Sequence, residues 1–243
     1  MHYVIGDIHQ HFTQLRTLLN KIEGQDEDAR FYFVGDFVDR GPEGKELIQW
    51  MLENLSSDGK YQSVRGNHEH MAIDWYYQKF LPWYEQHGKL AAFGLPMSGY
   101  DFHKVMYWMG YRSPEKIRPV INLFESLPYE KTITLTNSHG DIITFHIVHA
   151  WIAPPDATEA EATNHYLWKR DEVLPNGYTD TVIHGHTPTL MTECLTPGRI
   201  AYNGKAINLD TGVGYKGRVK EYPCALAALC LETMEEFYAD DFS

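Results

Sequence analysis

Eight side chains able to bind a metal ion or move a proton fall into five short blocks of this chain. The blocks are Gly6-Asp7-Ile8-His9, Gly35-Asp36-Phe37-Val38-Asp39-Arg40-Gly41, Arg65-Gly66-Asn67-His68-Glu69, Val148-His149-Ala150 and His184-Gly185-His186-Thr187. Four of them follow an apolar, β-rich run, which puts them at strand ends. There, Asp, His and Asn side chains from adjacent strands converge and can hold two divalent ions side by side. Asp7 and His9 stand two apart, so both are expected to project to the same side of the first strand's end. Asp36 occupies the matching position after its own run, and its two oxygens suit it to bridge both ions. Asn67 offers a neutral carbonyl oxygen, and His149 and His186 offer imidazole nitrogens. The expected sets are Asp7, His9 and Asp36 for the first ion, and Asp36, Asn67, His149 and His186 for the second.

Two such ions, roughly 3.5–4 Å apart, bring a shared water toward ionisation near neutral pH and neutralise charge developing on a phosphoryl group. The expected chemistry is hydrolysis of a phosphoester by the activated hydroxide. His68 adjoins a ligand yet is surplus to the ligand count, which suits it to protonate the leaving oxygen. Asp39 is expected to orient the His68 imidazole and keep it protonated. Arg40 is expected to grip the phosphate with its fork of donors, with Asn67 and His68 also touching it.

The elements that must position these blocks are visible in the apolar periodicity. Residues 2–6, 30–34 and 61–64 are expected strands. Between them, 13–23 places Leu15, Leu18, Leu19 and Ile22 at helical spacing, and 44–55 does so with Leu47, Ile48, Met51 and Leu52. This alternation predicts an α/β fold that binds ligands outside the carboxyl ends of parallel strands. Residues 131–136 and 142–149, joined by Asn137-Ser138-His139-Gly140-Asp141, read as an antiparallel hairpin. Residues 181–184, 206–209 and 225–231 read as further strands. A second sheet packed on the first gives a sandwich of two mixed β-sheets flanked by helices. Between the halves, 74–128 is dense in aromatics, including Trp75, Tyr76, Phe80, Tyr100, Phe102 and Trp108, with a helix expected over 114–127. It reads as a helical insertion within a single domain of 1–243, packing a small core of its own rather than forming a binding surface.

The chain's 243 residues allow a sizeable core, and a net charge of −12 argues against a general nucleic-acid binder. Bound cations invert the field locally, so a phosphate can still bind. Cys194, Cys224 and Cys230 lack CxxC spacing and read as buried apolar residues, which fits a reducing cytoplasm. No apolar run reaches transmembrane length, and a strand starting at residue 2 leaves no room for a leader. A soluble cytoplasmic protein without a membrane partner is the expectation.

The blocks resemble the phosphoprotein phosphatase branch of the calcineurin-like metallophosphoesterases, which reads GDxHG, GDxVDRG and GNHE followed by two late histidines. The likeness is strongest to the small bacterial and bacteriophage serine/threonine protein phosphatases typified by the lambda-phage enzyme. Val148-His149-Ala150, Gly185-His186-Thr187-Pro188 and Asp210-Thr211-Gly212 match that group, and Leu167-Trp168-Lys169-Arg170 looks like its LWxR segment. The likeness runs from Val4 to about Gly217 and implies that Arg170 is a second arginine gripping the phosphate. It also implies two divalent ions per chain, manganese first, with iron, zinc, nickel, cobalt or magnesium as alternatives. Phosphoproteins or phosphopeptides are the implied substrates. The alternative is a dinucleoside polyphosphate, with the aromatic segment as a base-stacking platform. A scaffold that had lost catalysis would lack some of these residues, and none is missing.

Two departures from the family pattern bear on the site. Gln10 replaces the glycine that usually ends the first motif, so it either strains the loop or reaches its amide toward the site. His184 is an extra histidine at a usually apolar position and is expected to lie outside the site. The remaining histidines (His2, His11, His70, His87, His103, His139, His146 and His165) read as surface or satisfied core residues.

Overall fold

The computed structural model describes all residues except 89–93, 99, 137–139, 171–172, 175–176, 193–195 and 241–243. Two five-stranded sheets face each other. The first consists of β1 (His2–Ile5), β2 (Arg30–Phe33), β3 (Tyr61–Ser63), β9 (Ala227–Cys230) and β10 (Glu236–Tyr238), in the order β10-β9-β1-β2-β3. The second consists of β4 (Glu130–Thr136), β5 (Ile142–Val148), β6 (Thr181–His184), β7 (Ala201–Asn203) and β8 (Ala206–Asn208), in the order β4-β5-β6-β8-β7. Strands β1, β2 and β3 run parallel in one sheet, and β5, β6 and β8 in the other. Antiparallel pairs join β9 to β1 and to β10 in the first sheet, and β4 to β5 (the expected hairpin) and β7 to β8 in the second. The hairpin connection at 137–139 lies outside the described residues.

Helix α1 (Phe12–Glu23) buries Leu15, Leu18, Leu19 and Ile22, and α2 (Gly44–Asn54) buries Leu47, Ile48 and Met51. Both stripes pack on Tyr3, Ile5, Phe31 and Phe33, which point out of the first sheet. The alternate residues Val4, Tyr32 and Val34 point the other way, onto Phe145, Ile147, Ile183 and Ile207 of the second sheet. Covered on both faces, these strands are near-continuous apolar runs. Each large side chain fully buried this way contributes about 1.5–3 kcal/mol.

Helices α3 (Asn67–Trp75), α4 (Leu81–His87), α5 (Phe102–Trp108) and α6 (Pro114–Ser126) run between β3 and β4, with a π-helical turn at Tyr76–Phe80 joining α3 to α4. Among the described residues these helices form no separate core of the kind expected for them. Trp75, Tyr76, Phe80, Phe102 and Phe124 belong to the same cluster as Leu15 and Phe31. The reason is that α5 and α6 lie against α2, so their apolar faces extend the existing core instead of closing a second one. A further helix, α7 (Glu159–Trp168), leads from the second sheet back to the strand ends. No helix among the described residues is long and apolar enough to cross a membrane.

Candidate active site

Strands β1 and β2 stop at Ile5 and Phe33, short of the first two blocks. Asp7 and His9 therefore do not share a strand face, and strand alternation is not what aligns them. The loops turn instead through left-handed backbone at His9 (φ 46°), Gln10 (60°), Asp36 (53°), Asp39 (68°), Arg40 (76°) and His186 (67°). Among the described residues only Cys224 and Met234 are other non-glycine examples. Each such residue costs about 1–2 kcal/mol, more for Gln and Arg than for Asp and His. Backbone strain in this chain is concentrated where the chemistry is.

Two buried side chains hold that backbone in place. Glu69 is fully buried and accepts four backbone N–H groups, from Asp36 (2.9 Å), Phe37 (2.9 Å), Val38 (3.3 Å) and Gly66 (3.0 Å). Burial, then the Asp36 charge, push its carboxyl up to about 7, while those N–H groups pull the other way. Gln10 answers both of its sequence alternatives. It adopts the left-handed conformation, and its amide donates to Gly41 O (2.8 Å) and accepts from Asp39 N (2.7 Å). The Gln10 side chain thus braces the turn that presents Asp39 and Arg40. It is 1% exposed.

Two groups of ligand atoms result, each lying within 4.8 Å of one another: His9, Asp36 and His68, and Asp36, His149 and His186. Asp36 belongs to both. Its Oδ1 lies 3.4 Å from His149 Nε2, and its Oδ2 lies 3.7 Å from His9 Nε2 and 3.8 Å from His68 Nε2. Asn67 Oδ1 joins the second group, 2.8 Å from His149 Nε2 and 3.0 Å from His186 Nδ1. Asp7 stands at the edge. Its two oxygens accept from His186 N at 3.3 and 3.2 Å, and Gly185 lies so close that a β-carbon there would meet Asp7 Oδ1. His68, read from the sequence as the proton donor, also falls within the first group, beside His9.

The donor set fits divalent cations. His9 Nδ1 bonds to Val38 O (3.1 Å) and His149 Nδ1 to Val34 O (2.9 Å), which turns both Nε2 atoms inward. Burial holds His9, His149 and His186 below the usual imidazole range, the last at about 3, so all three are neutral at physiological pH. With its Nδ1 proton directed at Val34, His149 presents an Nε2 lone pair to the oxygens of Asn67 and Asp36. Acceptors facing acceptors in a buried site need a cation or a proton among them. His186 Nε2 is itself buried without a hydrogen-bond partner.

His68 is different. Its Nδ1 donates to Asp39 Oδ2 at 2.7 Å. Burial alone would lower its pKa, but the Asp36 and Asp39 carboxylates outweigh burial and raise it. Arg40 Nη2 lies 3.4 Å from His68 Nε2, and its guanidinium sits over the Tyr215 ring, 5.2 Å from the centroid. Arg170 Nη1 donates to Thr187 Oγ1 (3.1 Å), beside His186. Arg112 and Arg118 are turned to other partners, over the rings of Tyr107 and Tyr76.

His184 lies outside both ligand groups, edge-on to Trp151 at 5.1 Å, and burial lowers it to about 4. His2, His87, His103, His146 and His165 bond to partners elsewhere, and His139 lies outside the described residues. Sequence reasoning assigned no role to Glu69, Tyr215 or Tyr100, the last of which lies 4.7 Å from the His68 ring. It also left Asp210 unassigned, a buried carboxyl raised to about 6 by burial. Glu69 gave a sequence signal through its place in the third block, and Asp210 through the Asp210-Thr211-Gly212 match.

The calcineurin-like phosphoesterase family profile matches residues 3–208. A symmetrical bis(5'-nucleosyl)-tetraphosphatase of Actinobacillus succinogenes is 27% identical over 162 residues, covering 66% of this chain and 48% of that protein. Serine/threonine-protein phosphatase 1 of Salmonella typhimurium is 35% identical over 72 residues, covering 30% of this chain and 31% of that protein. The chain thus spans half or less of the length of these curated relatives. Among solved structures, one described as a candidate diadenosine tetraphosphatase shares the fold with a TM-score of 0.58 at 18% identity, over 98% of this chain and 91% of that one.

Proposed function

This chain belongs to the calcineurin-like phosphoesterase family, a family of hydrolases, and we propose that it is a protein phosphatase of the serine/threonine type. Within the family we assign it to the branch of small bacterial and bacteriophage enzymes, on the blocks around His149, His186 and Asp210. The observation that carries the reading is the pair of ligand groups sharing Asp36, with the hydrogen-bonded His68–Asp39 pair and two arginines beside them. Asp7, His9 and Asp36 would hold one ion, and Asp36, Asn67, His149 and His186 the other, with manganese as the expected resident. Two divalent cations so held supply a water of lowered pKa and positive charge facing the phosphoryl oxygens. Arg40 and Arg170 grip the phosphoryl group from two sides, with Asn67 and His68 also in contact. His68 gives its proton to the leaving oxygen, and Asp39 keeps the imidazole turned for that transfer. The buried free thiols of Cys224 and Cys230 support the cytoplasm as its compartment.

The second reading is a dinucleoside-polyphosphate hydrolase, favoured by the Actinobacillus relative, which matches more of this chain than the Salmonella phosphatase does. The aromatic segment weighs against it in part, because Trp75, Tyr76, Phe80, Phe102 and Phe124 are spent in the core. Purified, manganese-loaded protein should turn over phosphoserine peptides at least as well as diadenosine tetraphosphate. A dinucleotide preference above about a hundredfold in kcat/KM, roughly 2.7 kcal/mol of transition-state binding, would overturn the phosphatase assignment.

Arg40→Ala and Arg170→Ala should each raise KM and weaken inhibition by inorganic phosphate. A charge-assisted contact contributes roughly 1.5–3 kcal/mol, so a loss of about 10- to 100-fold in phosphate affinity is expected, with ion content unchanged. Unaltered phosphate inhibition in Arg170→Ala would remove it from the site.

A further inference from the structure

We propose that Tyr100 contacts the organic group on the leaving oxygen and gives phosphoesters with a planar aromatic ring at that position an added affinity, alongside the serine/threonine substrates assigned above. The inference rests on the phosphoesterase reading above, because that reading puts His68 beside the leaving oxygen. The Tyr100 ring centroid lies 4.7 Å from that of the His68 imidazole, with the planes inclined at 52°. His68 is 1% exposed, whereas Tyr100 is 46% exposed. One side of the tyrosine ring therefore covers the proton donor, and the rest is open to whatever enters the site. A group bonded to the oxygen that His68 protonates comes within reach of this ring.

Tyr100 is held in place. Ser98 Oγ donates to Tyr100 O (2.6 Å) and lies 2.8 Å from His103 Nδ1. Trp75 Nε1 donates to Pro96 O (2.8 Å), and Phe102 is sunk into the main core. A ring whose backbone is tied at its own carbonyl and at flanking residues loses less freedom when a ligand stacks on it. The other exposed aromatics of the segment differ. Tyr77 bonds to Glu125 and Arg118, and Trp108 makes no ring contact with a site residue among those described. Trp168, the remaining exposed ring at the site, lies near His186 at 6.3 Å and not beside the acid.

The position of the ring decides which aromatic group it reads. A serine or threonine side chain brings no ring to it. A nucleobase is separated from the scissile phosphorus by a ribose and at least one phosphate, which carries it past a ring lying against the acid. An aryl group bonded directly to the ester oxygen meets the ring at stacking distance. Stacking of one aromatic pair is worth roughly 2- to 13-fold in affinity.

The test compares wild type with Tyr100→Leu, Tyr100→Phe and Trp108→Leu, all manganese-loaded. The substrates are a phosphotyrosine peptide, the phosphoserine peptide of the same sequence, p-nitrophenyl phosphate and diadenosine tetraphosphate. Binding of benzylphosphonate and butylphosphonate is measured separately by calorimetry. Tyr100→Leu should lower kcat/KM on phosphotyrosine relative to phosphoserine by about tenfold and abolish a preference for benzylphosphonate. Tyr100→Phe and Trp108→Leu should keep both. A loss on the small aryl phosphate as large as on the peptide identifies the ring itself as the recognised group and supports the proposal. Equal losses on the two peptides would mean that Tyr100 only covers His68, and a loss confined to the dinucleotide would mean that it reads a base; either overturns the proposal. If wild type hydrolyses none of the four, the phosphoesterase reading fails, and the phosphonates alone decide Tyr100. A benzyl preference that disappears in Tyr100→Leu then upholds the contact, and its absence refutes it.

Discussion

Asp36→Asn should strip both ions from the chain and lower turnover by at least about 10³-fold, more than the loss of a single stabilising donor costs. The effect is large because the carboxylate is divided between the two ligand groups. One oxygen faces His149, and the other faces His9 and His68. The amide keeps the size of the side chain but lacks the charge that two cations would share. Asn67→Ala provides the comparison, because it touches only the second group and should lose less metal and less activity. Elemental analysis showing two ions per chain retained in Asp36→Asn would disprove the bridging role.

His68→Asn should separate proton donation from ion binding. Its kcat on alkyl phosphoesters should fall by about 10²–10⁴, with ion content and substrate affinity near native. The loss should shrink on p-nitrophenyl phosphate, whose leaving group barely needs a proton. His68 lies geometrically in the first ligand group, so loss of an ion in His68→Asn would recast it as a ligand. The pH dependence follows from the two carboxylates that raise its pKa against burial. The proton is present below the raised value and lost above it, so kcat on alkyl substrates should decline on the alkaline side. Asp39→Asn should move that decline toward lower pH; an unmoved limb would end the assignment of Asp39. The same sign holds for stability. The His68–Asp39 contribution is complete below the unfolded value of about 6.5 and disappears as pH rises through the folded one.

The first seventy residues were legible because their apolar stripes and strand runs obey one period at a time, as α1, β2 and α2 show. The residues of both ligand groups were legible as types in a fixed order. How they converge was not, since Asp7 and His9 were aligned by a strand rule in a stretch where the strand has already ended. Left-handed backbone at Gln10 and Arg40 has no signature in residue types that rarely adopt it. Helix α7 was missed because it buries only Leu167 and so has no apolar stripe; its one signal was the Thr158–Glu161 capping box. Strands β7 and β10 are three residues each, too short to show a period. The aromatic segment was read as self-contained because burial against α2 is a long-range fact that local spacing does not carry.

The second ligand group draws Asn67 from the start of α3, beyond the first sheet, and His149 from the end of β5 in the second, 82 residues away in sequence. Any cation bound there clamps the two sheets together, much as a covalent tether would. Its binding free energy is then also folding free energy. A slippage of the sheets by an ångström would open the centre before either sheet frayed, so catalytic rate doubles as a gauge of their alignment. In a cell starved of the ion, the protein would lose its clamp along with its reactivity, and its lifetime would shorten with its rate.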